Sequence, residues 1–595
     1  MKLSTIRHLR VFLGIAGVFG LGLPANSQAG SATWLSSPAS GSWNSAANWS
    51  PATIPNGPSD LATFAFSNTT AISLSASVQV DSVIFSAGAS AFTITPNPGV
   101  TLTLSGAGVV NNSALTQNFV MGSNSNSQAG QISLLNSASA GVGAVYTVKG
   151  GVRLGDEGGL LQFFGNSSAG EGSFFSNGGT AAGANGGRTF FNDDSTAGLG
   201  IFVCGVGGIN TGGGLLVFTD NASGSRGTFT AAGGAVSNAN GGYIAFNGSA
   251  SAGQGDYTIR GADGVGAFGG QLQFVEGTTA ARANITLDGG TVAGAPGAFL
   301  TFSGAIAFGA ASAGEATITI YGGVGLGAEA RFLGDASGGT AHFIMAGNGR
   351  LDISGENAPG LTTGSVGGSG GVVLLGSRTL TVGSDNLSVI FGGQIQDGGF
   401  SGGVGGSLAK IGSGTLTLSG ASIYTGATTI SAGAVNVINS VGSATGSGAV
   451  QVNGGTLGGS GIIGGTVTIG AGAFLAPALG AKAKKTLAIQ SNLTFNDGAT
   501  YTYTFQAKGR KARTDLVIST GATISTGASI NLQGQAQGTL DQGTAITLIK
   551  NTAATPIAGT FSTLPDGAIV NLNGNNLEAS YSGGDGNDLT LTVVP

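Results

Sequence analysis

The sequence predicts an all-β protein, a parallel β-helix finished by a C-terminal β-rich cap or sandwich region. Three observations lead there. Glycine is very abundant while charged residues make up only 8% of the 595-residue chain. Apolar residues alternate with polar ones in short runs bounded by glycine, the pattern of strands rather than helices. And the middle of the chain repeats itself about every 28 residues.

Composition narrows the choice first. The chain holds 115 glycines, each costing a helix about 0.5–1 kcal/mol relative to alanine, yet well suited to tight turns between strands. These glycines follow no three-residue period, which argues against collagen. Apolar content is 41%, enough to fill a core, so the chain is not simply disordered. The surface must then be mostly Ser, Thr, Asn, Gln and Gly. Net charge is −5 with no basic tail, and phosphate recognition needs concentrated Lys and Arg, so nucleic acid is not expected as a partner.

The period has two parts. One reads GGLLQF at 158–163 and returns as GGRTFF, GGLLVF, GGYIAF and GGQLQF, then more loosely as GAFLTF and GAEARF. It ends each time on phenylalanine: Phe163, Phe191, Phe218, Phe246, Phe274, Phe302 and Phe332. The other part keeps step with it and reads SSAGEGSFF, STAGLGIFV, ASAGQGDYTI and ASAGEATITI. A unit this short cannot bury its own apolar face, so units must stack. Coils about 4.8 Å apart would bring the recurring phenylalanines over one another as an internal ladder. A β-propeller blade needs about 40 residues and four strands, more than this period provides.

The ends differ from the middle. Residues 1–29 have the plan of a signal peptide: Lys2, Arg7 and Arg10, an apolar run from Val11 to Leu23, then Ser27-Gln28-Ala29. That run is too short to span a membrane, and no later segment is long and apolar enough. All three tryptophans, Trp34, Trp43 and Trp49, fall close together just after it. They are read as a cap over the open end of the stack, with a stacking platform for sugar rings as the alternative. The single cysteine, Cys204, sits in an apolar strand and is read as a buried small hydrophobe.

Residues 408–437, LAKIGSGTLTLSGASIYTGATTISAGAVNV, carry a longer motif. Its positions Leu408, Lys410, Gly412, Gly414, Leu416, Leu418, Gly420, Tyr424, Gly426, Thr429, Ile430, Gly433 and Val435 resemble the autotransporter-associated β-strand repeat, also called the passenger-associated transport repeat. Ser422 stands where an asparagine is usual and Ala427 where a glycine is usual. The resemblance implies a right-handed β-helix passenger exported by a bacterium, often an adhesin or surface-layer component. Read from the residues alone, Leu416 and Leu418 face one side, Thr415 and Thr417 the other, and Tyr424 covers an edge. Residues 481–595 hold few aromatics and are expected to form a soluble β-rich region rather than the membrane barrel of such proteins.

The organisation expected is therefore a signal peptide at 1–29, an N-terminal β region at 30–127, repeats of about 28 residues at 128–347, further β-helix at 348–480 and a C-terminal β-rich domain at 481–595. Four groups invite a chemical reading. Asp193 and Asp194 are an adjacent acid pair, as in polysaccharide-cleaving β-helices. His342 is the one histidine beyond the signal segment, too few for a Ser-His-Asp set or a metal cluster. GGDGNDLTL at 583–591 keeps Gly583, Gly584, Gly586 and Asp588 of a calcium nonapeptide, with Thr590 in its large apolar position and no second copy to complete a site. Lys482, Lys484, Lys485, Lys508, Arg510, Lys511 and Arg513 gather a third of all basic residues into one window, as solvated loops or as a patch for anionic glycans or lipid headgroups.

No catalytic, cofactor-binding or metal-binding residue is assigned. The protein is expected to be an exported, non-catalytic surface or extracellular scaffold or adhesin, with surface glycans or other cell-surface components as partners. The alternative is a polysaccharide-binding or polysaccharide-degrading β-helix. A cleft enzyme would need loops inserted on one face, and the even spacing of the middle coils leaves no room for them.

Overall fold

In the computed structural model the chain is a stack of β-coils, described over residues 30–595 except 124–127, 305–308, 480–483 and 573. The signal segment 1–29 and Lys482 lie outside the described residues. Each middle coil contributes one four- to eight-residue strand to each of two parallel sheets. The first sheet runs from Ala32–Trp34 through Leu160–Phe163, Arg188–Phe191, Leu215–Phe218 and Tyr243–Phe246 to Gln394–Gln396. The second runs from Ala71–Leu74 through Glu171–Ser176, Ile201–Cys204 and Thr228–Ala231 to Ala522–Ile524. Pairing is parallel and in register from coil to coil, so Phe163 meets Phe191, Phe191 meets Phe218 and Phe218 meets Phe246.

The expected ladder is present. Phe163, Phe191, Phe218, Phe246, Phe274, Phe302 and Phe332 stack at centroid distances between 4.2 and 4.9 Å, with their ring planes nearly parallel and the rings fully buried. A second ladder, not anticipated, runs beside it through Phe119, Tyr146, Phe174, Phe202, Phe229 and Tyr257. The two meet edge to face, for example Phe191 against Phe202 at 5.6 Å and 74°. Within a ladder the coil rise dictates the ring spacing. Between ladders the rings adopt the perpendicular geometry that aromatic quadrupoles favour. The tyrosine hydroxyls stay satisfied, donating to the carbonyls of Ala140 and Ala252.

The small-residue motif of each coil forms a third column. Ser139, Ser168, Thr196, Ser223, Ser251, Thr279, Ser312 and Ser337 bridge one another in parallel. Most accept, through the side-chain oxygen, the N–H two residues on, as Ser168 does from Gly170 at 3.0 Å. This is a side-chain turn repeated once per coil, and it explains why Ser or Thr recurs there.

From Val389–Phe391 a third sheet joins, continuing through Thr415–Leu418, Ala434–Val437 and Thr456–Gly459. The coils shorten: Leu408 pairs with Thr428 and Thr428 with Val450. Leu416 and Leu418 point inward as expected. Tyr424 does not cover an edge; it is fully buried, its hydroxyl meeting that of Thr428, with the backbone of Gly446 from the next coil pressed against it. Parallel pairing continues into the C-terminal region, since Val467–Ile469 pairs with Leu493–Phe495 and that strand with Ala522–Ile524. The stack then ends in an antiparallel cap of Ala545–Asn551, Asp588–Val594, Asn575–Gly583 and Ile569–Leu572.

At the other end Trp34, Trp43 and Trp49 are buried and pack on Phe64 at 5.4–5.9 Å. Their indole N–H groups donate to the carbonyls of Thr69, Pro55 and Trp43. They close the stack, and their faces are not open to a sugar. Among the described residues no helix is long and apolar enough to cross a membrane.

Candidate functional site

The acid pair is a turn. Asp193 has φ of 55° and stands in a column of left-handed residues with Asn136, Gly165, Asp220, Gly248 and Glu276. Its carboxylate accepts the N–H of Gly165 one coil back at 2.8 Å, and Glu276 does the same for Gly248 at 3.1 Å. Asp194 accepts from the amide of Asn221 one coil forward. Both carboxylates thus tie neighbouring coils together at an exposed corner.

Cys204 is buried, and burial pushes its thiol up to about 12, far from a reactive thiolate. The GGDGND segment is the hairpin between Asn575–Gly583 and Asp588–Val594. Asp588 accepts the N–H of Asn551 at 2.9 Å; burial raises its pKa, and the Asn551 bond opposes the rise. Among the described residues no group of three or more His, Cys, Asp or Glu side chains could hold a metal ion.

The regular stack is disturbed between residues 329 and 406, where the first and second sheets both shift register. Here His342, Ser365 and Asp385 come together, a contact the sequence did not reveal. Nδ1 of His342 lies 2.6 Å from the hydroxyl of Ser365, which donates to Asp385. The order matters. In a nucleophilic triad the imidazole stands between serine and acid, so that it can take the serine proton. Here serine stands in the middle and its proton already points at the carboxylate. The arrangement fastens the two register-shifted strands to the following turn.

On the first sheet of the same belt, a groove of about 500 Å³ is lined by Glu329, Arg331, Arg350, Asp352, Gln396 and Phe400. One wall is the loop at 397–406, an insertion of the kind sought in the middle coils but placed beyond them. Most of its charges are occupied. Arg331 pairs with Glu329 and lies between the rings of Phe299 and Phe400 at 4.7 and 4.0 Å. Asp352 is buried and accepts from Ser354 and from the N–H of Phe400 at 2.7 Å, pinning the loop. Nearby Glu356 is also buried, and its Oε1 finds no donor. Burial, with Asp335 beside it, pushes its carboxyl up to about 8, against the opposing pull of Arg378.

The basic residues come together better than their sequence order suggests. Lys508 faces Lys511 across an antiparallel hairpin, with Arg513 next along the strand. A groove of about 660 Å³ is lined by Lys484, Lys511 and Arg513 together with Thr486, Thr514, Thr544 and Thr547. Asp515 is buried beneath and accepts the N–H groups of Lys484 and Lys485, fixing the backbone that carries two of the lysines. Burial raises its pKa and those N–H donors counter the rise. Arg510 is set apart by its pair with Asp541 at 3.2 Å. Lys484, Lys511 and Arg513 are thus three exposed cations set among threonine hydroxyls on a chain otherwise poor in charge.

Residues 408–437 match the model of the passenger-associated-transport-repeat family. The matched segment contains a buried lysine. Lys410 is 2% exposed, and its ammonium donates to the carbonyls of Ile411 and Gly412, closing the corner of the coil. Burial lowers its pKa and Asp385 works against that. No curated protein matches the sequence.

Proposed function

We propose that this protein is an exported, non-catalytic rod that serves as a scaffold or adhesin at a bacterial surface or in the extracellular matrix. The observation that carries this reading is the long run of stacked coils in which the corner acids Asp193, Asp194 and Glu276 are spent on holding neighbouring coils together. The transport repeat at 408–437, found in passenger-like β-helices, supports export. Protease treatment of intact cells followed by fractionation tests location: release from the cell surface is expected, and recovery from the periplasm alone contradicts the reading. Turnover of pectin or alginate, lost on replacing Asp193 and Asp194 with asparagine, would contradict a non-catalytic role.

The basic groove favours a second reading alongside the first, in which the rod holds anionic glycans. Binding to an acidic polysaccharide such as alginate should weaken as salt rises and should fall at least tenfold in Lys511→Gln/Arg513→Gln, while neutral dextran is not bound. Equal binding to dextran would remove it.

A further inference from the structure

The groove on the first sheet of the disturbed belt has a firmly held wall. The loop at 397–406 is pinned along its length. Asp352 accepts the N–H of Phe400 at 2.7 Å, the hydroxyl of Ser354 accepts that of Ser401 at 3.0 Å, and Asp397 accepts that of Gly406 at 2.9 Å. Glycine suits position 399, where φ is 121° and a Cβ would come within 2.7 Å of a carboxylate oxygen of Asp352. The guanidinium of Arg331 fills the space between the rings of Phe299 and Phe400, so Phe400 is held in place while 51% exposed. The groove is therefore formed before any ligand arrives, and its volume of about 500 Å³ falls in the range of small-molecule sites.

Its lining is amphipathic and carries no net charge. Val372 and Leu374 give an apolar floor, Arg350 and Gln396 give polar groups beside it, and Phe400 stands at the wall. Two acids, Glu329 and Asp352, offset two bases, Arg331 and Arg350. Glu329 is engaged by Arg331 and Asp352 by the loop, whereas the exposed Arg350 makes no ion pair among the described residues. The same face continues along the rod. Tyr243, Gln271, Phe299, Glu329 and Arg350 stand in one column on the outer side of the first sheet, the first three partly exposed. Tyr243 and Phe299 are two coils apart in it, about 9.6 Å at a rise of about 4.8 Å per coil.

We propose that this groove and the column leading from it bind a neutral polysaccharide of the extended β-linked kind, with one sugar unit against Phe400 and its hydroxyls held by Arg350 and Gln396. A sugar ring has an apolar C–H face and a rim of hydroxyls, which an open aromatic ring beside fixed polar groups matches. The cancelled charge of the lining disfavours an anion. The strands that floor the groove, Arg350–Glu356 and Val372–Leu374, are paired on both sides, so a peptide finds no free edge to join as an added strand. The two-coil spacing is close to the length of two sugar units in an extended β-linked chain, in which every second unit presents the same face. A straight chain can follow the column and a coiled one cannot. This surface is distinct from the basic groove at Lys511 and Arg513, and the inference does not depend on that groove or on where the protein resides.

Affinity electrophoresis of the full chain through native gels containing galactomannan, xyloglucan or hydroxyethyl cellulose tests it. Retardation is expected with at least one of the three and not with dextran, whose flexible backbone does not hold a straight line. Phe400→Ala and Arg350→Ala should each raise the dissociation constant about tenfold, while Lys511→Gln/Arg513→Gln should leave it unchanged. If Phe400→Ala loosens the loop, seen as lost amide protection at 397–406, Gln396→Ala alters the groove and spares the wall, and should weaken binding about threefold. The proposal is overturned if none of the three glycans retards the chain, or if Arg350→Ala and Gln396→Ala both bind as the wild type does. Retardation by alginate alone, abolished in Lys511→Gln/Arg513→Gln, would place recognition in the basic groove and overturn it as well.

Discussion

The middle coils and the coils after residue 389 solve the same packing problem with different materials. In the middle, about 28 residues enclose a section wide enough for two rings, and both positions are aromatic, as with Phe191 and Phe202 or Phe246 and Tyr257. Further on, a third strand replaces the glycine-bounded loop, the coil contracts, and Leu416, Leu418, Val435, Val437 and Leu457 fill it without a ring ladder. Core residue size follows the cross-section that coil length allows, because interiors tolerate neither voids nor overpacking.

Deleting a ring should have the largest effect. Phe246→Ala removes a side chain stacked on both Phe218 and Phe274 and should cost about 3–5 kcal/mol, seen in hydrogen exchange as deprotection spreading through the adjoining coils. Leu418→Ala, in the narrower section, should cost about 2–3 kcal/mol with a more local response. Equal costs would break the comparison.

The junction between the two regions supplies the next test. Glu356 has a carboxyl raised to about 8 in the folded chain. Below the ordinary carboxylate range it is protonated in both folded and unfolded states and has no effect. Between that range and about 8 only the folded chain holds the proton, so stability falls with rising pH, by about tenfold in the folding equilibrium per unit, and levels off above. Thermal melts across that window should slope for the wild type and flatten for Glu356→Gln. Parallel slopes would show that the carboxyl is not held neutral.

The smallest effect belongs to the corner column. Asp193→Gly preserves the left-handed turn, as Gly165 and Gly248 do in neighbouring coils, and should cost no more than about 1 kcal/mol. Asp193→Ala should cost more, because alanine loses the hydrogen bond and strains the backbone as well. A large loss for glycine would mean the carboxylate matters beyond its bond to Gly165.

These contrasts also explain what the sequence could disclose. The Phe163-to-Phe332 ladder was legible because period and residue type recur together. The second ladder was harder to see, since Phe and Tyr are mixed there and the motif around them drifts. Trp34, Trp43 and Trp49 could be read as a cap because a stack must close somewhere. The meeting of His342, Ser365 and Asp385 was hidden, because it depends on a register shift that no local pattern announces. The basic groove was half visible: its lysines and arginines cluster in the sequence, but only the hairpin at Lys508 and Lys511 and the buried Asp515 turn that cluster into a surface.

The central claim is a spine with constant rise, and paired spin labels measure it most directly. With the buried Cys204 replaced by alanine, labels at Ser173 and Asn284 sit four coils apart on the outer face of the second sheet, and labels at Ser173 and Thr317 five. The account predicts separations near about 19 and 24 Å, growing by about 4.8 Å per coil. Distances that do not increase with the number of intervening coils would contradict it.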